Sequence, residues 1–191
     1  MPSMLCKTIC NPFLEEFTQI NSNIYSPGHY EKRLELVTKY SWAVPDEEAI
    51  STICQYSPVI EIGAGKGYWA SLISQMGGEI VAFDYAANKK ITTFFQGEKF
   101  YPVRYGNTKT VKRYPNHTLF LCWPPYNTPM AYETLKNYGG EILIYVGEKH
   151  GCTGCKRFGK EISTKWEEIN SVDIPKWSYI HDRLYVYRRR K

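Results

Sequence analysis

Two short strings in this sequence carry residue types and spacings suited to chemistry. The first is Val59-Ile60-Glu61-Ile62-Gly63-Ala64-Gly65-Lys66-Gly67-Tyr68-Trp69, an apolar run that breaks into a glycine turn and resumes as a helical pattern. Glycines there permit positive backbone angles and let a ligand reach bare backbone at a helix N-terminus. About 20 residues on, Ile80-Val81-Ala82-Phe83-Asp84 is a second apolar run ending in a carboxylate, the position where such arrangements hold a ribose diol. The pair points to a nucleoside-bearing ligand, against the plainer reading of a structural turn. Dinucleotide sites use G-x-G-x-x-G, whereas here the spacing is G-x-G-x-G with Glu61 two residues ahead, which disfavours a nicotinamide-dependent oxidoreductase.

The second string is Leu119-Phe120-Leu121-Cys122-Trp123-Pro124-Pro125-Tyr126. Two prolines end a buried strand, remove two backbone donors and stiffen the exit, so that loop carbonyls and Tyr126 can face a ligand. The plainer reading makes Trp123 and Tyr126 packing residues. Downstream, Gly147-Glu148-Lys149-His150-Gly151-Cys152-Thr153-Gly154-Cys155 offers Glu148 and His150 as candidates for proton removal, against the plainer reading of a surface histidine beside a lysine. His150, Cys152 and Cys155 crowd three zinc-ligand types without a clear partner pair, and no metal is expected.

The elements that must position these strings are legible from periodicity. Helical patterns run from Asn11 to Ile20, from His29 to Tyr40 and after Pro45, where Asp46, Glu47 and Glu48 place acid on the first turn. From Pro58, short apolar runs alternate with helical stretches, the signature of a parallel sheet covered on both faces. Strands are expected at Val59 to Ile62, Glu79 to Phe83, Phe100 to Val103, Thr118 to Cys122 and Glu141 to Val146. Helices are expected at Tyr68 to Met76 and Pro129 to Tyr138, with short or irregular pieces around Lys89 to Phe95 and Thr108 to Tyr114. Lys165 to Asp173 and Leu184 to Arg188 are separated too briefly for a parallel crossover and must pair antiparallel. The expected fold class is α/β: a Rossmann-like, doubly wound, mostly parallel sheet with N-terminal helices and a C-terminal antiparallel hairpin. One domain spans 1–191, with a helical lead-in at 1–57 and a core at 58–191. By the same geometry Trp177, His181 and Asp182 should reach the pocket, with Tyr40, Ser41 and Trp42 on its other side.

Composition agrees with an ordinary globular chain. Of 191 residues, 43% are hydrophobic and 23% charged, which excludes disordered and fibrous classes. No run approaches the roughly 18 apolar residues of a membrane span, and the opening residues lack a signal peptide's apolar middle, so a cytoplasmic protein without a membrane partner is expected. The six cysteines then read as free thiols, with Cys54 and Cys122 in core patterns. Sixteen tyrosines and five tryptophans exceed the needs of a small core and suit a pocket. The formal charge of +5 is partly the run Arg188-Arg189-Arg190-Lys191, a solvated end or a grip for phosphate.

The form E-x-G-x-G-x-G with an acid ending the next strand resembles motif I and its partner in the class I S-adenosylmethionine-dependent methyltransferases, a likeness that extends from the helix before Pro58 through the terminal hairpin. It implies S-adenosyl-L-methionine as cofactor, with Glu61 orienting the methionine end. Gly63, Ala64, Gly65 and Gly67 would face it, Asp84 would bind the ribose, and Tyr85, Asn107 and Cys122 would complete the site. The Trp-Pro-Pro-Tyr loop resembles motif IV of the amino-methylating branch, which implies acceptor roles for Trp123, Pro124 and Tyr126. That branch has Asp, Asn or Ser where this chain has Trp123, so one group that would orient a target amine is missing. The strings Trp42-Ala43-Val44-Pro45, Gly63 to Ala70, Phe120 to Tyr126 and Gly151 to Gly154 also resemble a small group of methyltransferase-like proteins of unidentified acceptor. The resemblance implies methyl transfer to a flat or small acceptor, a small molecule or nucleic acid such as a nucleobase or other amine. The departure at Trp123 keeps open a catalytically silent cofactor-binding module that acts through a protein or RNA partner.

Overall fold

The computed structural model describes residues 9–21, 28–87, 97–149 and 151–191. Three helices lead in: α1 (Pro12–Asn21), α2 (His29–Lys39) and α3 (Glu47–Cys54). Glu47 and Glu48 lie on the first turn of α3 as expected, whereas Asp46 stands one position before it as the cap, its carboxylate accepting the Ala49 N–H at 2.8 Å. The core then alternates: β1 (Val59–Ile62), α4 (Tyr68–Gln75), β2 (Ile80–Asp84), β3 (Val103–Tyr105), β4 (Thr118–Cys122), α5 (Met130–Asn137), β5 (Ile142–Gly147), α6 (Lys156–Lys165), β6 (Trp166–Asp173) and β7 (Arg183–Arg189).

Among the described residues seven strands form one sheet in the order β3-β2-β1-β4-β5-β7-β6. The first five pair in parallel, and β7 runs antiparallel between β5 and β6. The strand order reverses between β1 and the central β4, so the carboxyl ends of those strands border the crevice where ligands of such sheets bind. All four residues of β1 are buried. Strand alternation sends Val59 into the cluster under α1 to α4 and Ile60 and Ile62 into the cluster under α5 and α6. This α/β architecture, mostly parallel with a terminal antiparallel pair, is the expected one.

Two expectations need correction. The third strand begins at Val103 rather than Phe100. Phe100 and Tyr101 are apolar for another reason: the Phe100 ring packs against Tyr40 and Tyr68 at 5.6 and 4.9 Å, and the Tyr101 hydroxyl donates to the Ile80 carbonyl at 2.9 Å. Helix α6 was not expected at all, because Phe158 and Ile162 are its only buried side chains and give a thin apolar stripe. The segment expected to be irregular near Thr108 forms a short 3-10 turn at Thr110–Arg113, while Lys89 to Phe95 lies outside the described residues. Among the described residues no helix is long and apolar enough to cross a membrane. Cys10, Cys54, Cys122, Cys152 and Cys155 are free.

Candidate cofactor and acceptor site

The glycine turn is fastened on both sides. The Asp84 carboxylate accepts the Gly65 N–H at 3.0 Å through one oxygen and the Ala86 N–H at 2.8 Å through the other. These bonds lower its pKa, but burial outweighs them and the net shift is upward. Lys66, buried within the turn, donates to the carbonyl oxygens of Thr38 and Lys39 at 2.7 and 3.3 Å, so its ammonium closes the end of α2. Gly65 has φ +55°, and a Cβ built there meets nothing within 4 Å, so that face of the turn is open to a ligand. Gly67 differs. It starts α4 at φ +79°, and a Cβ there would lie 2.8 Å from Tyr101 Cβ and 2.9 Å from Val103 Cγ2. Its lack of a side chain serves packing, and it does not line the cavity.

That cavity, about 530 Å³, opens at the carboxyl ends of β1, β2 and β4. Of the residues expected there, Glu61, Gly63, Ala64, Gly65, Asp84, Tyr85, Asn107, Cys122, Trp123 and Pro124 line it, joined by Tyr40, Ser41 and Trp42 from the lead-in. Asn107 is oriented by its own turn, its side-chain oxygen accepting the Lys109 N–H at 2.9 Å. Glu61 is the least settled group. It is 2% exposed, and its Oε2 has no hydrogen-bond partner among the described residues. Burial, with the Asp84 charge adding to it, pushes the carboxyl up to about 8. The Cys122 thiol is raised well above its ordinary range by burial and then by Glu61 and Asp182, so it stays protonated. A buried acid without a donor is expensive unless it is neutral or meets a cation or hydroxyl.

One side of the cavity is walled by tryptophan. Trp123 adopts φ 48°, accepted for a bulky residue only where its surroundings over-determine it. Three contacts do so. Its N–H donates to the Val146 carbonyl at 2.8 Å, its indole N–H donates to both oxygens of Asp182 at 2.8 Å, and its ring stacks on Trp42 with centroids 5.0 Å apart and planes 9° from parallel. Asp182 is 1% exposed; burial raises its carboxyl to about 6, the Trp123 bond opposing.

Other expected residues fall elsewhere. Trp177 packs on Phe17, Phe13 and His29 beneath the lead-in helices, away from the cavity. Glu148 is a brace: buried, it accepts the N–H groups of Cys152 and His181, each at 2.8 Å. Burial raises its pKa, these bonds lower it, and the net shift is downward. His181 lies on the surface beside it, Nδ1 3.4 Å from Glu148 Oε1. Tyr126 is 67% exposed and lines a neighbouring groove instead of this cavity. His150 lies outside the described residues, and among those described no three His, Cys, Asp or Glu cluster as a metal site. Lys66 and Met130 also line the cavity without a signal in the sequence: a lysine in a glycine turn does not reveal a partner 27 residues upstream, and the Met130 methyl group reaches Gly63 from α5.

No protein-family model matches this sequence, and no curated protein matches it either. Solved structures do match by shape. Magnesium protoporphyrin IX methyltransferase (ChlM) from Synechocystis PCC 6803 with bound SAM aligns over 92% of this chain and 97% of its own, with TM-score 0.53 and 11% identity. The same enzyme with bound SAH gives 0.52 at 12% identity, over 91% and 94% of the two chains. A variant of MtNAS in complex with S-adenosylmethionine gives 0.51 at 13% identity, over 93% and 71%. The chain therefore has the α/β fold of the class I S-adenosylmethionine-dependent methyltransferases.

Proposed function

We propose that the cavity binds S-adenosyl-L-methionine and that the protein transfers its methyl group to a flat or small acceptor. The observation that carries this reading is Glu61 Oε2, a buried carboxyl oxygen without a donor among the described residues, at the edge of a cavity floored by glycine backbone. A cationic amino-acid end would satisfy it. Asp84 keeps free lone pairs for a ribose diol, and the cavity's size is within the range of small-ligand sites. When bound, the cofactor supplies a methyl group activated by sulfonium charge, and the protein's task is alignment and exclusion of water.

In this reading Glu61 holds the ammonium, Gly63 to Gly65 admit the nucleoside, and Asp84 fixes the ribose. Tyr85 and Asn107 border the base, and Cys122 contributes a neutral wall. Trp42 and Trp123 close the acceptor side and keep a cation among aromatic faces. Because the Trp123 indole N–H is already given to Asp182, this residue orients an acceptor by shape and by its carbonyl. The same commitment favours one second reading, a module that binds the cofactor without turning it over.

Calorimetric titration with S-adenosylmethionine, S-adenosylhomocysteine and NAD tests the cofactor: the first two should bind and NAD should not. Transfer of labelled methyl into cell extract then separates enzyme from silent binder. Heat from NAD alone would overturn the reading.

A further inference from the structure

A second concavity, about 700 Å³, lies behind the Trp-Pro-Pro-Tyr loop, between α6 and the face of β5, β7 and β6. The loop is its shared wall: Pro124 and Pro125 line the first cavity, whereas Tyr126 and Asn127 line the second. The wall is pinned to the far side of the groove by backbone, Gly154 N–H to the Pro124 carbonyl at 2.9 Å and Asn127 N–H to the Gly154 carbonyl at 2.8 Å.

The groove's charge is one-sided. Lys149, Lys156, Lys160 and Arg190 line it against a single acid, Glu168, which is taken by Lys149 at 2.6 Å. Lys156 and Lys160 are exposed and have no ion pair among the described residues. Arg190 is anchored through Nε to the Trp166 carbonyl at 3.1 Å, which leaves its terminal nitrogens to donate elsewhere. Helix α6 has no acid in its first turn; Lys156 and Arg157 occupy it, at the helix's positive end, an arrangement that only an anion would relieve. Two further donors of groove-lining side chains, the Tyr187 hydroxyl and the Trp166 indole N–H, are buried without hydrogen-bond partners among the described residues. Beside these cations Tyr126 presents an exposed ring.

Repeated cations with an interleaved aromatic fit a chain of phosphates carrying flat bases. We propose that this groove binds the backbone of a single-stranded nucleic acid, with a base on Tyr126, and that the acceptor in the neighbouring cavity is a nucleobase of that strand. The second half rests on the methyltransferase reading; the first does not.

The test is fluorescence polarisation of a labelled, mixed-sequence 12-nucleotide RNA, without cofactor, across a salt series. Three phosphate contacts at about 0.7 each give a slope of log affinity on log salt near −2, a loss of roughly twentyfold between 50 and 200 mM. Lys156→Gln/Lys160→Gln should flatten the slope to about −0.7, and Tyr126→Ala should weaken binding about tenfold. The control Lys112→Gln/Arg113→Gln, on the 3-10 turn, should leave it unchanged. The proposal is overturned by equal binding of wild type and Lys156→Gln/Lys160→Gln, by an equal loss in the control, by tighter binding of the matching duplex, or by equal competition from polyglutamate. Failure of S-adenosylmethionine to bind in calorimetry, with RNA binding intact, would instead sink the cofactor reading alone.

Discussion

The ring of Trp42, from the lead-in, lies nearly parallel on the ring of Trp123, from the loop after β4, with centroids 5.0 Å apart. Residues 81 positions apart thus make one wall of the cavity, and Asp182, 59 positions further on, fixes its orientation through the indole N–H.

This wall should respond to Asp182. Asp182→Asn keeps an oxygen acceptor and should perturb little, whereas Asp182→Ala leaves a buried indole N–H unpaired and should destabilise by about 1 to 3 kcal/mol. Chemical denaturation with tryptophan fluorescence checks both, and equal stability of the two variants would show that the bond is incidental.

Glu61 should impose a pH dependence. Its carboxyl rises from 4.5 to about 8 on folding, so its contribution to stability is present in full below 4.5 and is lost as pH rises through about 8. Without ligand, Glu61→Gln should therefore be more stable than wild type at pH 8.5 and differ less at pH 5. Binding a cation to Glu61 must also expel its proton. Calorimetry of S-adenosylmethionine at pH 7 in buffers of different ionisation enthalpy should show proton release, and Glu61→Gln should show less.

Asp84→Ala should weaken S-adenosylmethionine binding more than tenfold, since a hydrogen bond to a charged acceptor contributes about 1.5 to 3 kcal/mol. The variant also frees the Gly65 N–H, so circular dichroism must confirm an intact fold. Unchanged affinity would remove Asp84 from the site.

Gly65→Val and Tyr126→Ala should part company. The valine meets a left-handed backbone and projects where the turn is open, so cofactor binding should vanish while the fold persists. Tyr126 lies outside the cavity, so Tyr126→Ala should keep cofactor affinity and lose methyl transfer. Equal loss of cofactor binding in both would merge the roles assigned to them.

The legible parts of this protein were those encoded locally. The turn from Gly63 to Gly67, the acid at Asp84 and the strands Val59–Ile62 and Thr118–Cys122 announce themselves through glycine, a terminal carboxylate and continuous apolar runs. What escaped depends on distant partners. Phe100 and Tyr101 look like a strand because they are apolar, yet the Phe100 ring belongs to Tyr40 and Tyr68, and the Tyr101 hydroxyl to the Ile80 carbonyl. Two prolines do constrain Tyr126, but which side of the loop it takes is decided by the clasp between Pro124, Asn127 and Gly154, which no pattern within the loop reveals.

Lys66 joins the glycine turn to the last carbonyls of α2, where its positive charge also complements the helix dipole. The turn cannot open without withdrawing that ammonium, nor can the end of α2 fray without stranding it. The two segments should therefore exchange their amide hydrogens as a single cooperative unit, although the chain separates them by nearly thirty residues. A ligand resting on Gly65 would then slow exchange in a helix end that it need not touch.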